Sequence, residues 1–374
     1  MERPLRIAID ATTWAPGRTG VGLYTERLIR AWQQLPYGDE LILLTNRFAD
    51  APAQSGLPVH GPRMPIRALW LQTALPAQLA RFAPDVALFP NYLAPLVPVP
   101  GVPYVLTVHD LAVFLFPETF TFKKRVLQRA ALPWLVRHAA AVVTPSENSR
   151  RDLLRLMPTD PGKVVVTPLA AAPGLDRTPD AESVARVRAQ LGLPSQYVLS
   201  VGTLEPRKNV VRLIEAFERV AVQFPDVQLV VAGGKGWRDD DIVRVLRRPE
   251  LRSRIVSVGY VTPEQLQVLY HQALVMAYPS LYEGYGLPVA EAMACGAPVL
   301  TSRGSSLDEV GGDAVLAVDP LDVAAIADGL ARLLGDAALR DDLRTRGMAR
   351  ASQSSWVQTA EATRKVLARV AKPR

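Results

Sequence analysis

Glu283 and Glu291 stand eight positions apart in PSLYEGYGLPVAEAMACGAPVLTS, residues 279–302, with Gly284, Gly286 and Pro288 between them. LVMAYPS reads as a strand and LYEGYGLP as the loop at its carboxyl end. Pro288 suits the first position of a helix, because the amide it lacks would have no partner there. That helix runs through VAEAMAC and stops at Gly296, a left-handed closing residue. Glycines at 284 and 286 leave backbone N–H groups open beside the positive helix end, which makes an anion site. A nucleoside diphosphate seated there would bring its ribose within reach of Glu291 and a sugar within reach of Glu283. Singly, the helix dipole explains Glu291, and Glu283 reads as a solvated loop acid. Their joint appearance around one Gly–Pro turn points to a shared ligand.

A second constellation is VGTLEPRKNVVRLIEAF. A strand ends at Gly202, a polar loop follows, and a helix begins near Asn209. Arg207 and Lys208 stand just ahead of that helix, where the dipole disfavours unpaired cations. A diphosphate leaving group gains negative charge as it departs, and preorganised cations stabilise it. ATTWAPGRTGVGLYTERLI places Gly17, Gly20 and Gly22 between the first strand and a helix. The spacing is not G-x-G-x-x-G, and the next strand ends at Thr45 and Asn46, with no acid for a dinucleotide ribose. VLTVHDLAVF puts His109 and Asp110 at a strand end. In PSENSRRDLL, Ser146 or Asn148 caps a helix, and Arg150 or Arg151 is a weak candidate for a phosphate contact. Asp239, Asp240 and Asp241 imitate a D-x-D metal motif, but between a glycine turn and a helix they read as helix-start acids. Glu309 in SSLDEV is read the same way.

These loops need strands to carry them. RIAIDAT, ELILLTN, DVALFP, PYVLTVHD, AVVTPS and KVVVTPL alternate with helical stretches, which implies a parallel, doubly wound α/β sheet. A proline- and alanine-rich break follows near 168–185. The rhythm then restarts with YVLSVGT, VQLVVAGG, RIVSVGYV, LVMAYPS and PVLTS, and ends on the amphipathic SSWVQTAEATRKVLARV. At 374 residues the chain is long for one core, so two domains are expected. Ligands of such sheets lie beyond the carboxyl ends of the strands, where the residues above stand.

Composition narrows the partners. The net charge is +7, which favours anionic ligands, while arginines spread along the chain without a nucleic-acid-binding signature argue against nucleic acid. The single cysteine, Cys295, excludes an internal disulfide and a cysteine zinc site, and its small apolar neighbours mark it as core. MERPLRIAID leads straight into a strand, and Pro133, Arg137 and His138 interrupt the most apolar window. A cytoplasmic protein is expected, with RALWLQ and TFKKRVLQRAALPWL as candidates for peripheral contact with the anionic inner face of the cell membrane.

The motif EGYGLPVAE, flanked by PSLYEG and EAMACGAPVLTS, resembles the E-x7-E motif of the retaining, nucleotide-sugar-dependent glycosyltransferases of family 4, glycosyl transferase group 1. The resemblance extends from TGVGLYT to SSWVQTAE. It implies the α/β GT-B fold: two Rossmann-like doubly wound domains with a cleft between them. Residues 1–168 would form the acceptor side and 186–350 the nucleotide-sugar side, with 351–374 packing back on the first. It implies that Glu283 contacts the transferred sugar and Glu291 the ribose, with His109, Arg207 and Lys208 completing the catalytic set. Further donor contacts are implied for Gly20, Val21 and Gly22 at the diphosphate, and for Thr203, Gly284, Tyr285, Gly286 and Leu287. Tyr260 and Val261 would lie against the nucleobase. Many members carry arginine where Thr203 stands, so the cationic pair is here compressed into adjacent residues. GTLEPRKN with SLYEGYGLP looks most like bacterial mannosyltransferases of cell-surface polysaccharide or glycolipid precursors. The implied donor is GDP-mannose first and a UDP-sugar second, the acceptor a saccharide or lipid-linked saccharide, with no cofactor and no metal required. A sugar-nucleotide epimerase also pairs α/β domains and is the alternative of another reaction class.

Overall fold

A computed structural model describes residues 3–14, 20–46, 55–236, 240–246, 248 and 253–373. Short runs of aliphatic residues, buried on both faces, become parallel strands because helices cover both sides. In the first sheet β1 (Arg6–Asp10), β2 (Glu40–Leu44), β3 (Val59–His60), β4 (Val86–Phe89), β5 (Tyr104–Thr107), β6 (Ala141–Thr144) and β7 (Val164–Val166) run in the order β3-β2-β1-β4-β5-β6-β7. In the second, β8 (Gln196–Val201), β9 (Val227–Ala232), β10 (Ile255–Gly259), β11 (Val275–Tyr278), β12 (Val299–Ser302) and β13 (Leu316–Val318) run β10-β9-β8-β11-β12-β13. Both are doubly wound, and the order reverses between β1 and β4 and between β8 and β11. Those reversals are the switch points where such sheets hold ligands. The two-residue β3 is too short to show a period, and β13 also escapes the sequence reading.

The chain divides into two compact units. One holds Met1–Phe114, Phe122–Leu169 and Trp356–Arg374; the other holds Leu115–Thr121 and Ala170–Ser355. The last helix, Trp356–Val370, thus belongs to the first unit. Its buried face carries Trp356, Ala360, Thr363, Arg364 and Leu367, spaced three and four apart. Arg364 is fully buried, donates to Asp39 at 2.8 Å and stacks over Tyr37 at 3.5 Å. A buried pair of this kind costs about 3–5 kcal/mol to break from one side, so it locks the helix in place.

In the second unit, the helices Val210–Ala221 and Val323–Gly335 cover one face of the sheet through Leu213, Phe217, Ile326 and Leu330. The helices Pro263–Gln272 and Leu287–Ala294 cover the other through Leu269, Tyr270, Val289 and Met293. Among the described residues no helix is long and apolar enough to cross a membrane.

Candidate active site

The site of the second unit is built on the β8–β11 switch. After β8 the chain makes one 3-10 turn, Pro206–Lys208, and Asn209 then takes a left-handed conformation (φ 60°) before the helix Val210–Ala221. Asparagine tolerates that region better than most residues. The buried Asn209 side chain donates to the carbonyls of Pro279 at 2.9 Å and Pro320 at 2.6 Å. The Arg207 carbonyl accepts from the Leu281 amide at 2.8 Å. The loops after β8 and β11 are therefore stitched together, and Arg207 and Lys208 are carried to Glu283.

Glu283 is the centre of the cluster. Its Oε1 lies 2.6 Å from the Lys208 ammonium and 2.6 Å from the Ser280 hydroxyl, and it accepts from the Tyr278 hydroxyl at 2.9 Å. Its Oε2 meets Arg207 at 2.9 Å. Lys208 also donates to the Tyr278 hydroxyl at 2.6 Å, and Arg207 pairs with the buried Glu205. Two cations and two carboxylates thus form an electroneutral, largely buried group. Burial alone pushes the Glu283 carboxyl up, but Arg207 and Lys208 together outweigh it and hold the group down at about 2. Lys208 is pushed below its ordinary value by burial, against the pull of Glu283. Burial and then Glu283 push the Tyr278 phenol well up, so it stays a neutral donor. The backbone of the loop is pinned by hydroxyls from the next strand and helix: Thr301 to Tyr278, Ser302 to Ser280 and Ser306 to Glu283, at 2.9, 2.6 and 2.8 Å.

The helix expected to start at Pro288 starts at Leu287, because Gly286 takes the cap in a left-handed conformation (φ 109°). A Cβ there would lie 2.4 Å from a Leu307 methyl at a φ that side chains rarely adopt, so glycine is favoured. Gly284 is buried, and Leu287 and Tyr285 are half-buried. Burial, with Glu309 adding, pushes Tyr285 up to about 12. Glu291 is buried on the same helix, where the Tyr270 hydroxyl donates to it at 3.4 Å. Arg207, Lys208 and Glu283 share one cluster, while Glu291 meets Tyr270. Thr203 lies beside the 233–236 turn, which must be glycine-rich: a Cβ at Gly233 would sit 1.8 Å from the Gly202 carbonyl oxygen. Tyr260, after the edge strand β10, is exposed, while Val261 packs on the apolar cluster.

In the first unit Gly20 caps the helix Val21–Trp32 with φ 46°, and Gly22 is buried in its first turn. Gly17 lies outside the described residues. His109 follows β5, its Nε2 2.8 Å from the Pro90 carbonyl that follows β4. A carbonyl only accepts, so Nε2 carries the proton and Nδ1 has the lone pair. Burial pushes the His109 pKa down against the Pro90 hydrogen bond and Asp110, which favours the neutral ring. The Tyr24 ring stands edge-on to His109 at 4.7 Å. Asp110 caps the following turn through the Ala112 amide at 2.9 Å and accepts from the Tyr92 hydroxyl.

Several sequence candidates serve the scaffold. Ser146, not Asn148, caps the helix Glu147–Leu156. Arg150 is engaged by the Val164 carbonyl at 3.1 Å and by Glu147, so it is not offered to a phosphate. Asp241 pairs with Arg244 on the surface, and Asp239 lies outside the described residues. Sequence reasoning missed Glu205, Tyr278 and Ser280, which complete the Glu283 group. It also missed Asp10 at the β1–β4 switch, a buried acid held by Thr12, Asn91 and Arg67. Asp10 ends a strand at its carboxyl edge, the one signal that marks it out.

The family model for glycosyl transferases group 1 matches residues 184–350, and that for Glycosyltransferase Family 4 matches residues 18–171. The chain is similar to the O-antigen chain mannosyltransferase B of Escherichia coli, 35% identical over 67% of this chain and 66% of that protein. It is also similar to the serotype-specific mannosyltransferase WbdA of Escherichia coli, 28% identical over 77% of this chain and 37% of the relative. The chain thus spans just under two thirds of the first relative and little more than a third of the second. Its fold is similar to that of Anabaena HepE, solved in complex with UDP and glucose, with a TM-score of 0.77 at 22% identity over 97% of this chain and 99% of that one. Its two sheets matched in turn by the two family models, the chain belongs to the family 4, group 1 glycosyltransferases of GT-B fold.

Proposed function

We propose that the protein transfers mannose from GDP-mannose to a saccharide or lipid-linked saccharide, with retention at the anomeric carbon, during assembly of cell-surface polysaccharide. The observation that carries the reading is the pairing of buried Arg207 and Lys208 on Glu283 beyond the ends of β8 and β11. The names of the two similar mannosyltransferases support the choice of sugar.

In this reading the ionised Glu283 keeps the two cations aligned before the donor arrives. The donor diphosphate then takes Arg207 and Lys208 as partners, and a released Glu283 oxygen accepts a hydroxyl of the mannose. As the bond from anomeric carbon to phosphate oxygen breaks, its electron pair stays on the oxygen, and the cations stabilise that charge in a partly dry site. The acceptor hydroxyl attacks from the face the phosphate is leaving and gives its proton to the departing phosphate oxygen. No protein base is required, and the neutralisation is assigned to Arg207 and Lys208 rather than to a metal. Glu291 takes the ribose hydroxyls. In the first unit, the Nδ1 lone pair of neutral His109 is suited to accept a hydrogen bond from a sugar hydroxyl.

A UDP-sugar is the second reading, favoured by the UDP and glucose in the HepE complex. A thermal-shift panel of GDP, UDP and ADP, with and without their sugars, separates the two. Stabilisation by GDP and by GDP-mannose supports the first reading, and stabilisation by UDP alone replaces it with the second. Absence of any nucleotide effect overturns both. Proton NMR of the first product formed tests retention: the donor's anomeric configuration must persist.

A further inference from the structure

The helix Phe122–His138 of the first unit keeps several large apolar side chains exposed among the described residues. Leu132, Leu135 and Val136 are buried, whereas Phe122, Val126, Leu127 and Trp134 stand 69, 50, 55 and 47% exposed. At 100° per residue these four exposed positions fall within one side of the helix. Lys123, Arg129 and Arg137 are exposed on the same side, and FKKRVLQRAALPWLVRH contains no acidic residue.

The face continues beyond the helix. The Trp134 indole donates to the Leu96 carbonyl at 2.9 Å, and the Leu96 amide donates to Gln72 at 2.9 Å. Leu96 and Val97, the latter 77% exposed, therefore lie between this helix and the helix Arg67–Gln72. That neighbour leaves Leu69 exposed as well and also lacks an acidic residue.

The geometry points to a docking surface for an anionic lipid bilayer, formed by the helix Phe122–His138 and the Leu96–Val97 loop. The occupant follows from charge complementarity: large apolar groups for the acyl boundary lie among cations for lipid headgroups, and the helix itself carries no carboxylate. Trp134, with its apolar body and polar N–H, suits the boundary between the two. The helix lies on such a surface rather than across it, since it is too short and too charged to span a bilayer. None of these residues belongs to the Glu283 cluster, so the surface stands or falls separately from the donor reading.

The test is flotation of the full chain with vesicles of phosphatidylcholine alone and of phosphatidylcholine mixed with phosphatidylglycerol. Binding to the mixed vesicles, released by high salt, is expected, with none to phosphatidylcholine alone. Each cation near an anionic surface strengthens binding about fivefold, so Lys123→Glu, Arg129→Glu and Arg137→Glu together should weaken it by at least about a hundredfold. Phe122→Ser with Val126→Ser should weaken it at least about tenfold while leaving the salt dependence. All five sites are exposed, so both variants should keep the thermal midpoint of the parent. Equal binding to both vesicle types, failure to bind the mixed vesicles, or binding indifferent to both variants would overturn the proposal. So would vesicle-free dimers in sedimentation velocity that the variants dissolve, since the face would then belong to a second copy.

Discussion

Replacing Glu283 by glutamine preserves the shape of the side chain and removes the charge that Lys208 and Arg207 meet at 2.6 and 2.9 Å. Burial raises the Glu283 carboxyl and the two cations more than reverse that, leaving it at about 2 against an ordinary 4.5. An acid whose folded pKa is depressed binds fewer protons folded than unfolded. Its contribution is therefore full above the unfolded value and is lost as pH falls through the folded one. The difference amounts to about 3 kcal/mol at neutral pH, of which about 1 kcal/mol is gone at pH 3.5. Lys208 offsets part of the neutral-pH gain, because burial disfavours its charged form. The other carboxylates are shared by both proteins and drop out of the pH difference. Urea unfolding of the parent and of Glu283→Gln, followed by circular dichroism, gives the comparison. The parent should be more stable at pH 6, and its advantage should shrink by about 1 kcal/mol at pH 3.5. An advantage that stays constant over this range would refute the assignment of Glu283 as an ionised, doubly paired carboxylate.

Other consequences concern catalysis and local geometry. Lys208→Ala should lower GDP release from GDP-mannose with acceptor by about 100- to 1,000-fold while the circular dichroism spectrum is kept; near-parental turnover would remove Lys208 from the leaving-group role. Glu291→Ala should weaken GDP binding about tenfold or more by calorimetry, and unchanged affinity would contradict its role at the ribose. Gly286→Ala forces a side chain into a left-handed φ of 109° and against Leu307, and should cost about 1–3 kcal/mol in urea unfolding. In a Leu307→Ala background the same substitution should cost less than in the parent, and an equal cost in both would place the strain elsewhere.

The alternation of strands and helices was legible because buried parallel strands write continuous apolar runs; β3, with two residues, was too short to do so, and β13 was not read. The acidic and basic loop residues were legible one at a time, as groups at strand ends. Their mutual pairing was not, because it depends on β8 and β11 being neighbours, which the order of the chain does not state. Arg207 and Glu283 are 76 positions apart and share an ion pair. Glu205, Tyr278 and Ser280 gave no pattern of their own, yet they determine how the group is charged and hydrogen-bonded. The terminal helix was recognisable as amphipathic, but the Arg364–Asp39 bond that anchors it links positions 325 apart. Arg150 illustrates the opposite case: its place near the start of a helix that follows a strand suggested a ligand, and the Val164 carbonyl had already claimed it.

The most direct measurement is a crystal structure of the protein soaked with GDP-mannose or its unreactive 2-fluoro analogue. A β-phosphate oxygen should lie within about 3 Å of Lys208 Nζ and of the Arg207 guanidinium, with a Glu283 oxygen on a mannose hydroxyl. A donor bound with its diphosphate elsewhere, while Glu283 still holds both cations, would contradict the mechanism.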